Sequence, residues 1–240
     1  MIEAYALTDV GLCRSMNQDC VFCTTREIGK LPNLFIVADG MGGHKAGDMA
    51  SRFSVDTFVE CVKNATNDNP ITVISDAIKY TNAKLLELAA TSEDYAGMGT
   101  TFVVATIINK SVYIANVGDS RLYILGEEFN QVTRDHSYVE ELVSMGSIDR
   151  ESARNHERKN FITRALGGSN EVIADFFEVE LAGNEKILMC SDGLTNMIVD
   201  NEIASILSDS ADIIYRAEKL IETANNYGGK DNISLVIIEP

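Results

Sequence analysis

The order of strand-like and helix-like segments constrains the fold of this chain most. Three strand-like runs open the sequence, at Ala4 to Thr8, Cys20 to Thr25 and Leu34 to Ala38. Two segments with apolar residues at helical spacing follow, one from Met49 to Val62 and one that starts at Pro70. Clustered strands and paired helices differ from the βαβα alternation of a doubly wound parallel sheet. The order therefore favours an α+β fold in which helices cover antiparallel sheets.

The rest of the chain continues this pattern. The runs Thr100 to Ile108, Val112 to Val117 and Leu122 to Leu125 predict an antiparallel meander, with turns at Asn109-Lys110 and Gly118-Asp119-Ser120. The polar stretch at about 134–170 contains one obvious short helix and is predicted to be a surface flap. Further strands and a second helix pair follow, so we expect about ten strands, two helix pairs and a layer of helices outside each of two sheets.

Composition limits the possible partners. The chain has 240 residues, 45% of them hydrophobic, and a formal net charge of −16, which suits one sizeable globular domain over residues 1–240. Such an acidic surface argues against nucleic acid or an anionic membrane as a partner. No apolar run approaches the roughly 20 residues that span a bilayer, and the N-terminus lacks a secretory signal. We therefore expect a soluble cytoplasmic protein that is a monomer.

The five cysteines point to reduced thiols, because their number is odd. Cys20 and Cys23 match C-x-x-C, but no second pair completes a zinc site. Cys20 and Arg26 match the spacing of cysteine-dependent phosphatases, and a phosphatase built on Cys20 is one alternative function. The residues between them favour a strand over a glycine-rich phosphate-binding loop.

Four aspartates stand next to strand-like apolar runs, namely Asp39, Asp119, Asp192 and Asp231. Singly, each is typical of a surface charge or a turn. If the strand ends meet at one edge of the sheets, four carboxylates share one cleft and repel each other unless a cation neutralises them. Oxygen ligands of this kind favour Mg²⁺ or Mn²⁺ over zinc.

A series of motifs in a fixed order covers essentially the whole chain and resembles the metal-dependent Ser/Thr phosphatases of the protein phosphatase 2C family, in their compact bacterial form. The motifs are Thr8-Asp9-Val10-Gly11 with Arg14, Asn17-Gln18-Asp19, Ala38-Asp39-Gly40-Met41-Gly42-Gly43-His44, Gly99-Thr100-Thr101, Gly118-Asp119-Ser120-Arg121, Thr133-Arg134-Asp135-His136-Ser137, Thr163-Arg164-Ala165-Leu166-Gly167, Ser191-Asp192-Gly193-Leu194 and Asp231-Asn232.

The resemblance implies a four-layer αββα sandwich with a binuclear metal centre between the sheets. It implies that Asp39 bridges two Mn²⁺ or Mg²⁺ ions and that Asp192 and Asp231 hold the first ion. It also implies that the Gly40 carbonyl holds the second ion, with Asp19 reaching it through water. A weaker third ion would lie between Asp119 and Asp192. Arg14 would bind the substrate phosphate, since a guanidinium matches two phosphate oxygens.

The resemblance further implies hydrolysis of phosphoserine and phosphothreonine by direct attack of a water shared by the two ions. The general acid is open between His44, a flap residue and a metal-bound water. Two positions depart from the family pattern, because Gln18 stands where many members have Glu and Met41 stands where eukaryotic members have His. For His136 and His156, substrate contact and plain solvation are both open.

The expected function is therefore a phosphoprotein phosphatase opposed by a cognate Ser/Thr kinase. One alternative is a regulatory phosphatase acting on an anti-sigma-factor antagonist, but the flap argues against it because that branch usually lacks this segment. A third alternative, beside this one and the phosphatase built on Cys20, is a catalytically inactive binding module of the same fold, against which all four aspartates and Arg14 are present.

Overall fold

A computed structural model describes residues 2–43 and 46–240. The strands in this part of the chain are β1 (Glu3–Asp9), β2 (Asp19–Thr24), β3 (Leu34–Met41), β4 (Gly99–Thr100), β5 (Phe102–Ile108), β6 (Ser111–Val117), β7 (Arg121–Leu125), β8 (Phe129–Gln131), β9 (Asp175–Glu180), β10 (Lys186–Cys190) and β11 (Ile233–Glu239). The expected strands are all present, although the predicted strand at Thr100 to Ile108 is divided into β4 and β5. The short strand β8 was not predicted.

Side-chain caps and proline positions account for several helix starts. The helices are α1 (Ala46–Lys63), α2 (Pro70–Ala89), α3 (Tyr138–Ser144), α4 (Arg150–Arg154), α5 (Asp192–Thr195), α6 (Asp200–Ser208) and α7 (Ile213–Asn226), with a 3₁₀ turn at Glu93–Tyr95. Asn69 accepts a hydrogen bond from the Thr72 amide at 3.0 Å, and Pro70 occupies the first turn of α2. Asp149 caps the unpredicted helix α4 through the Ser152 amide at 2.7 Å.

The strands form two antiparallel sheets. The order in the first sheet is β1-β11-β10-β7-β8, and the order in the second is β2-β3-β5-β6-β9, with β4 paired to β3. The pairing of β2 with β3 places Asp19 directly opposite Asp39. In the first sheet, Cys190 at the end of β10 lies opposite Leu235 near the start of β11. Asp192 follows β10 and Asp231 precedes β11. Each sheet therefore brings aspartates at or beside its strand ends to one edge.

Three apolar layers hold the sandwich together. Along β3, Phe35 and Val37 pack between the two sheets, whereas Leu34 and Ile36 pack against α1 and α2. This alternation follows the period of two along a strand, and burial on both faces explains the unbroken apolar run of β3. The outer face of the first sheet packs against α5, α6 and α7. The expected α+β fold, with two sheets between two outer layers of helices, is confirmed. The layer on the first sheet contains three helices rather than the expected pair.

The predicted meander is wrong at residues 118–120. β6 lies in the second sheet and β7 lies in the first, so Gly118-Asp119-Ser120 carries the chain from one sheet to the other. Gly118 adopts φ +109°, and a side chain there would collide with Thr101. This crossing places Asp119 in the opening between the sheets rather than at the tip of a hairpin.

Residues 134–170 pass along the mouth of that opening and carry α3 and α4. The segment is joined to the sandwich by backbone hydrogen bonds, including Leu166 N to Thr100 O at 2.9 Å. Among the described residues, no helix has the length and apolar character needed to cross a bilayer.

Candidate metal centre

A cavity of about 240 Å³ opens between the two sheets at the edge where the acidic strand ends lie. Four predicted carboxylates line this cleft together with Arg14 and Gly40, namely Asp39, Asp119, Asp192 and Asp231. The convergence expected from the sequence is therefore observed. Asp19 is only 3% exposed and lies beneath the cleft, paired with Asp39 across the β2–β3 ladder.

Backbone contacts hold Asp39 in place. Its amide donates to Thr101 Oγ1 at 2.9 Å, and its carbonyl accepts from both Thr100 Oγ1 and the Thr101 amide at 2.9 Å. Thr101 Oγ1 in turn hydrogen-bonds Ser120 Oγ at 2.7 Å. These bonds use only the backbone of Asp39, so its carboxylate can face the cleft. The Gly99-Thr100-Thr101 motif therefore serves to position Asp39.

Asp192 enters the cleft from the junction of β10 and α5. Its carboxylate accepts a hydrogen bond from Asn196 Nδ2 at 2.8 Å, one turn further along the chain. A side chain at Gly193 would overlap the backbone carbonyl of Asn232, so only glycine allows α5 to start this close to β11. Ser191 donates to Asp19 Oδ2 at 2.8 Å and thereby links the two sheets behind the cleft.

Arg14 reaches the cleft from the loop between β1 and β2. Its guanidinium donates to Asp231 Oδ2 at 2.8 Å, and 51% of its side chain is exposed. Asn232 holds this loop by accepting from the Gln18 amide at 2.8 Å and donating to the carbonyls of Val10 and Met16 at 2.9 and 3.0 Å. The loop therefore fixes the direction of the Arg14 guanidinium, and the exposed part of that group remains available to a ligand.

Asp119 is 9% exposed, and His136 fixes the crossing that carries it. The His136 amide donates to the Gly118 carbonyl at 2.9 Å, and its ring Nδ1 accepts from the Gly118 amide at 3.1 Å. With Nδ1 accepting, Nε2 carries the proton and donates to Asp175 Oδ2 at 3.1 Å. His136 is buried, so neither role left open for it, substrate contact or solvation, applies. His156 packs against the Tyr138 ring, with 6.0 Å between ring centroids.

The electrostatics of the cleft are those of a site short of positive charge. Burial, reinforced by the neighbouring carboxylates, raises the pKa of Asp19 to about 7 and that of Asp192 to about 6. Burial and mutual repulsion also hold the pKa of Asp39 and of Asp119 well above the usual range. A hydrogen-bond contact with Asp39 opposes the rise at Asp192. Protons bound by these carboxyls reduce the repulsion that a cation would otherwise neutralise.

The residues present fit divalent cations. Asp19 Oδ1 is buried without a hydrogen-bond partner, which is costly for a carboxylate oxygen unless water or an ion satisfies it. Within the described ranges, no three side chains of His, Cys, Asp or Glu cluster tightly enough to enclose one ion. An ion bound by three carboxylates would have to draw them closer together, and waters would complete its coordination, as they commonly do around Mg²⁺ and Mn²⁺.

Sequence reasoning missed part of the cleft wall. Asn160 and Ile162 of the flap line the cleft, and neither belongs to a motif that signalled this position. His44, a candidate general acid, lies outside the described residues. Cys20 lies in β2 rather than in a phosphate-binding loop, and burial raises its pKa to about 11, which disfavours a reactive thiolate.

Comparisons with known proteins agree on one family. A family model described as Protein phosphatase 2C matches residues 14–233. The chain is 41% identical over 239 residues to "Serine/threonine phosphatase stp" of Listeria innocua, covering 97% of this chain and 93% of that protein.

Solved structures give the same result. The crystal structure of the Ser/Thr phosphatase Stp1 from Staphylococcus aureus superposes with a TM-score of 0.93 at 35% identity, covering 100% of this chain and 95% of that one. The catalytic domain of the phosphatase PstP in complex with two manganese ions has a TM-score of 0.88 at 30% identity, covering 99% and 97%.

Proposed function

The chain belongs to the protein phosphatase 2C family and is a metal-dependent protein-serine/threonine phosphatase, and we propose that the cleft between its sheets is the site of hydrolysis. One observation carries this proposal. Partly buried carboxylates from both sheets converge on the cleft, where Arg14 is the one basic residue among the described lining residues. Because the relatives are named as Ser/Thr phosphatases, the anti-sigma-factor and inactive-module alternatives are not favoured.

We assign two Mn²⁺ or Mg²⁺ ions to this centre, with the ligands that the family resemblance implies. Asp39 would be shared by both ions, Asp192 and Asp231 would hold the first, and the Gly40 carbonyl would hold the second with Asp19 acting through water. The unpartnered Asp19 Oδ1 supports this last role. Asp119, which lies beside Asp192 in the cleft, is assigned with it to a weaker third ion. Bound divalent ions supply a nucleophilic water at neutral pH.

Arg14 positions the substrate phosphoryl group. The ion pair with Asp231 aims the guanidinium into the cleft, and its remaining N–H groups can donate to two phosphoryl oxygens. This contact offsets the negative charge that develops on those oxygens during displacement. Asp231 therefore has two roles in the proposal, as an ion ligand and as the residue that orients Arg14.

The leaving Ser or Thr oxygen needs a proton. The flap residues that line the cleft, Asn160 and Ile162, carry no titratable group. Of the three candidates, this leaves a water molecule in the cleft or His44 as the source of the proton.

We extend the proposal to the setting in which the protein works. Residues 1–240 act as one catalytic domain with a flap at 134–170. The substrates are phosphoserine and phosphothreonine proteins, a Ser/Thr kinase supplies them, and the enzyme works in the cytoplasm as a monomer. Five free thiols suit a reducing compartment, and a charge of −16 opposes self-association and binding to nucleic acid or anionic membranes.

Hydrolysis of para-nitrophenyl phosphate and of a phosphothreonine peptide, each with Mn²⁺, Mg²⁺, Ca²⁺ or excess chelator, tests the proposal. We expect activity with Mn²⁺ or Mg²⁺ and none with chelator. Arg14→Lys is the matched variant for substrate binding, because it keeps the charge but loses the two-pronged contact, and it should raise KM. Turnover that survives exhaustive chelation would show that the cleft works by another mechanism.

A further inference from the structure

A second cavity, of about 780 Å³, lies between α1 and α2 on the outer face of the second sheet. Its lining starts at Phe53 of α1 and reaches the loop at Asn67, then continues along α2 from Val73 to Lys84. Phe53 is seven residues beyond the start of α1, roughly 10 Å along the axis at 1.5 Å per residue. The start of α1 is the end that packs against Gly40 of the cleft, through Gly47, so this α1–α2 groove is separate from the cleft.

The floor of the groove is apolar. Val73 is buried, and Phe53, Cys61 and Ala65 are partly buried against the core beneath. Tyr80 projects from α2 with 50% of its surface exposed. The Lys84 ammonium lies 5.8 Å from the centroid of this ring, and the exposed half of Tyr80 remains open to a ligand. The size of the cavity falls within the usual range of about 300–1,000 Å³ for binding pockets.

The rim of the groove is acidic. Asp56 on α1 and Asp76 on α2 stand on its two sides, and both are exposed. Neither carboxylate forms a hydrogen bond or ion pair with any residue that the structure describes. Lys84, the one basic residue lining the groove in this part of the chain, donates to Glu87 Oε2 at 2.6 Å, which offsets its charge. Two unpaired carboxylates thus flank an apolar floor.

The acidic rim and apolar floor of the groove favour one kind of binding partner over others. A second copy of the chain, with the same net charge of −16, would bring like charges together, and an anionic lipid surface or nucleic acid would do the same. A helix with basic residues on either side of an apolar stripe matches both features. Its apolar stripe would fill the groove between two helices, and its cations would face the two carboxylates.

We propose that the α1–α2 groove docks a cationic amphipathic helix of a partner protein, with an apolar side chain against Tyr80 and Lys or Arg residues beside Asp56 and Asp76. This interaction surface goes beyond the hydrolytic site and does not depend on it. It gives the phosphatase a way to be held near a protein whose basic segment it recognises, while the cleft remains open.

The probe is a synthetic amphipathic helix of Leu and Lys, compared with the same peptide carrying Glu in place of Lys. Binding is measured by titration calorimetry at physiological ionic strength. We expect binding of the Lys peptide only, and we expect the double variant Asp56→Asn/Asp76→Asn and the variant Tyr80→Ala each to weaken it about tenfold. Asp94→Asn, which removes an exposed carboxylate from the 3₁₀ turn, is the matched control and should leave the affinity unchanged.

Alkylation of the thiols locates the bound peptide. Cys61 lines the groove, whereas the exposed Cys13 lies on the Arg14 loop and serves as an internal reference. The Lys peptide should slow alkylation of Cys61 and not that of Cys13, as read by mass spectrometry. Equal protection of both thiols, equal binding of the Glu peptide, or an Asp94→Asn effect equal to that of the groove variants would overturn the proposal in favour of non-specific attraction to an acidic surface.

Discussion

The cleft and the α1–α2 groove are both lined by aspartates, but they surround those aspartates with different environments. The cleft is the smaller of the two, at about 240 Å³ against about 780 Å³. In the cleft, burial and mutual repulsion raise the pKa of Asp39 and Asp119, and one arginine is at hand. In the groove, Asp56 and Asp76 stand in solvent on opposite sides of an apolar floor.

The difference shows that burial, not cavity size, decides what a group of carboxylates can do. Exposed acids are solvated and need no counter-ion, so they suit weak recognition of a cationic surface. Buried acids that face one another are unfavourable unless protons or metal ions neutralise them. The same residue type therefore serves docking in one cavity and catalysis in the other.

Replacing Asp39 should have the largest effect. Asp39→Asn keeps the side-chain shape but removes the charge at the centre of the cluster, so kcat should fall by several orders of magnitude. The same change should raise the unfolding temperature of the metal-free protein, because it removes repulsion among buried carboxylates. Asp192→Asn is expected to behave likewise.

Steady-state kinetics and calorimetric unfolding of one preparation measure both effects. Asp94→Asn, an exposed aspartate, is the matched control and should change neither quantity. An Asp39→Asn enzyme with near-normal turnover would mean that the cleft is not the centre of the chemistry.

Asp119 should have a smaller and more selective effect. It is assigned to the third ion only, so Asp119→Ala should fold and still bind two ions tightly but lose most of its activity toward a phosphopeptide. Titration calorimetry with Mn²⁺ and phosphopeptide turnover separate the possibilities. Wild-type turnover would leave Asp119 as a simple connector between the sheets, and loss of the tight sites would make it a ligand of the two main ions.

Lys63 should have the smallest effect. It ends α1 with 53% of its side chain exposed and lies 3.6 Å from Glu60. Lys63→Ala should change the free energy of unfolding by less than about 0.5 kcal/mol and leave kcat/KM unchanged. A well-folded variant that loses phosphatase activity would place the chemistry on the helical face rather than in the cleft.

The sequence was sufficient to predict most elements and the residues that meet in the cleft. Asp39, Asp192 and Asp231 adjoin strongly apolar strands, and strand ends are where turns and ligands concentrate. Predicting a strand also predicts where that strand ends. The carboxylates at the strand ends could therefore be expected to meet once two packed sheets were assumed.

Pairing between strands could not be predicted in the same way. Gly118-Asp119-Ser120 has the composition of a hairpin turn, yet it crosses between sheets, because β7 pairs with β10 and β8. A local signal cannot distinguish the two when the competing partner is over 60 residues away. The position of Asn160 and Ile162 at the cleft was hidden for a related reason, since the flap packs through backbone bonds that side-chain patterns do not reveal.

The pH dependence of unfolding, with and without Mn²⁺, tests the central claim that the buried carboxylates form a cation site. The folded-state pKa of Asp19 is about 7 and that of Asp192 about 6, both above the ordinary value of about 4 for the unfolded chain. Between those values the folded state binds more protons than the unfolded state. The metal-free protein should therefore gain stability as the pH falls from 8 toward 5.

Saturating Mn²⁺ should reverse that slope, because metal ions compete with protons for the same oxygens. At pH 8, Mn²⁺ at 100 times its Kd should add about 2.7 kcal/mol to the free energy of unfolding. We predict opposite pH slopes for the metal-free and Mn²⁺-saturated protein, measured by denaturant titration at pH 8, 7, 6 and 5. Identical slopes, with no stabilisation by Mn²⁺ at pH 8, would contradict the assignment of the cleft as a metal centre.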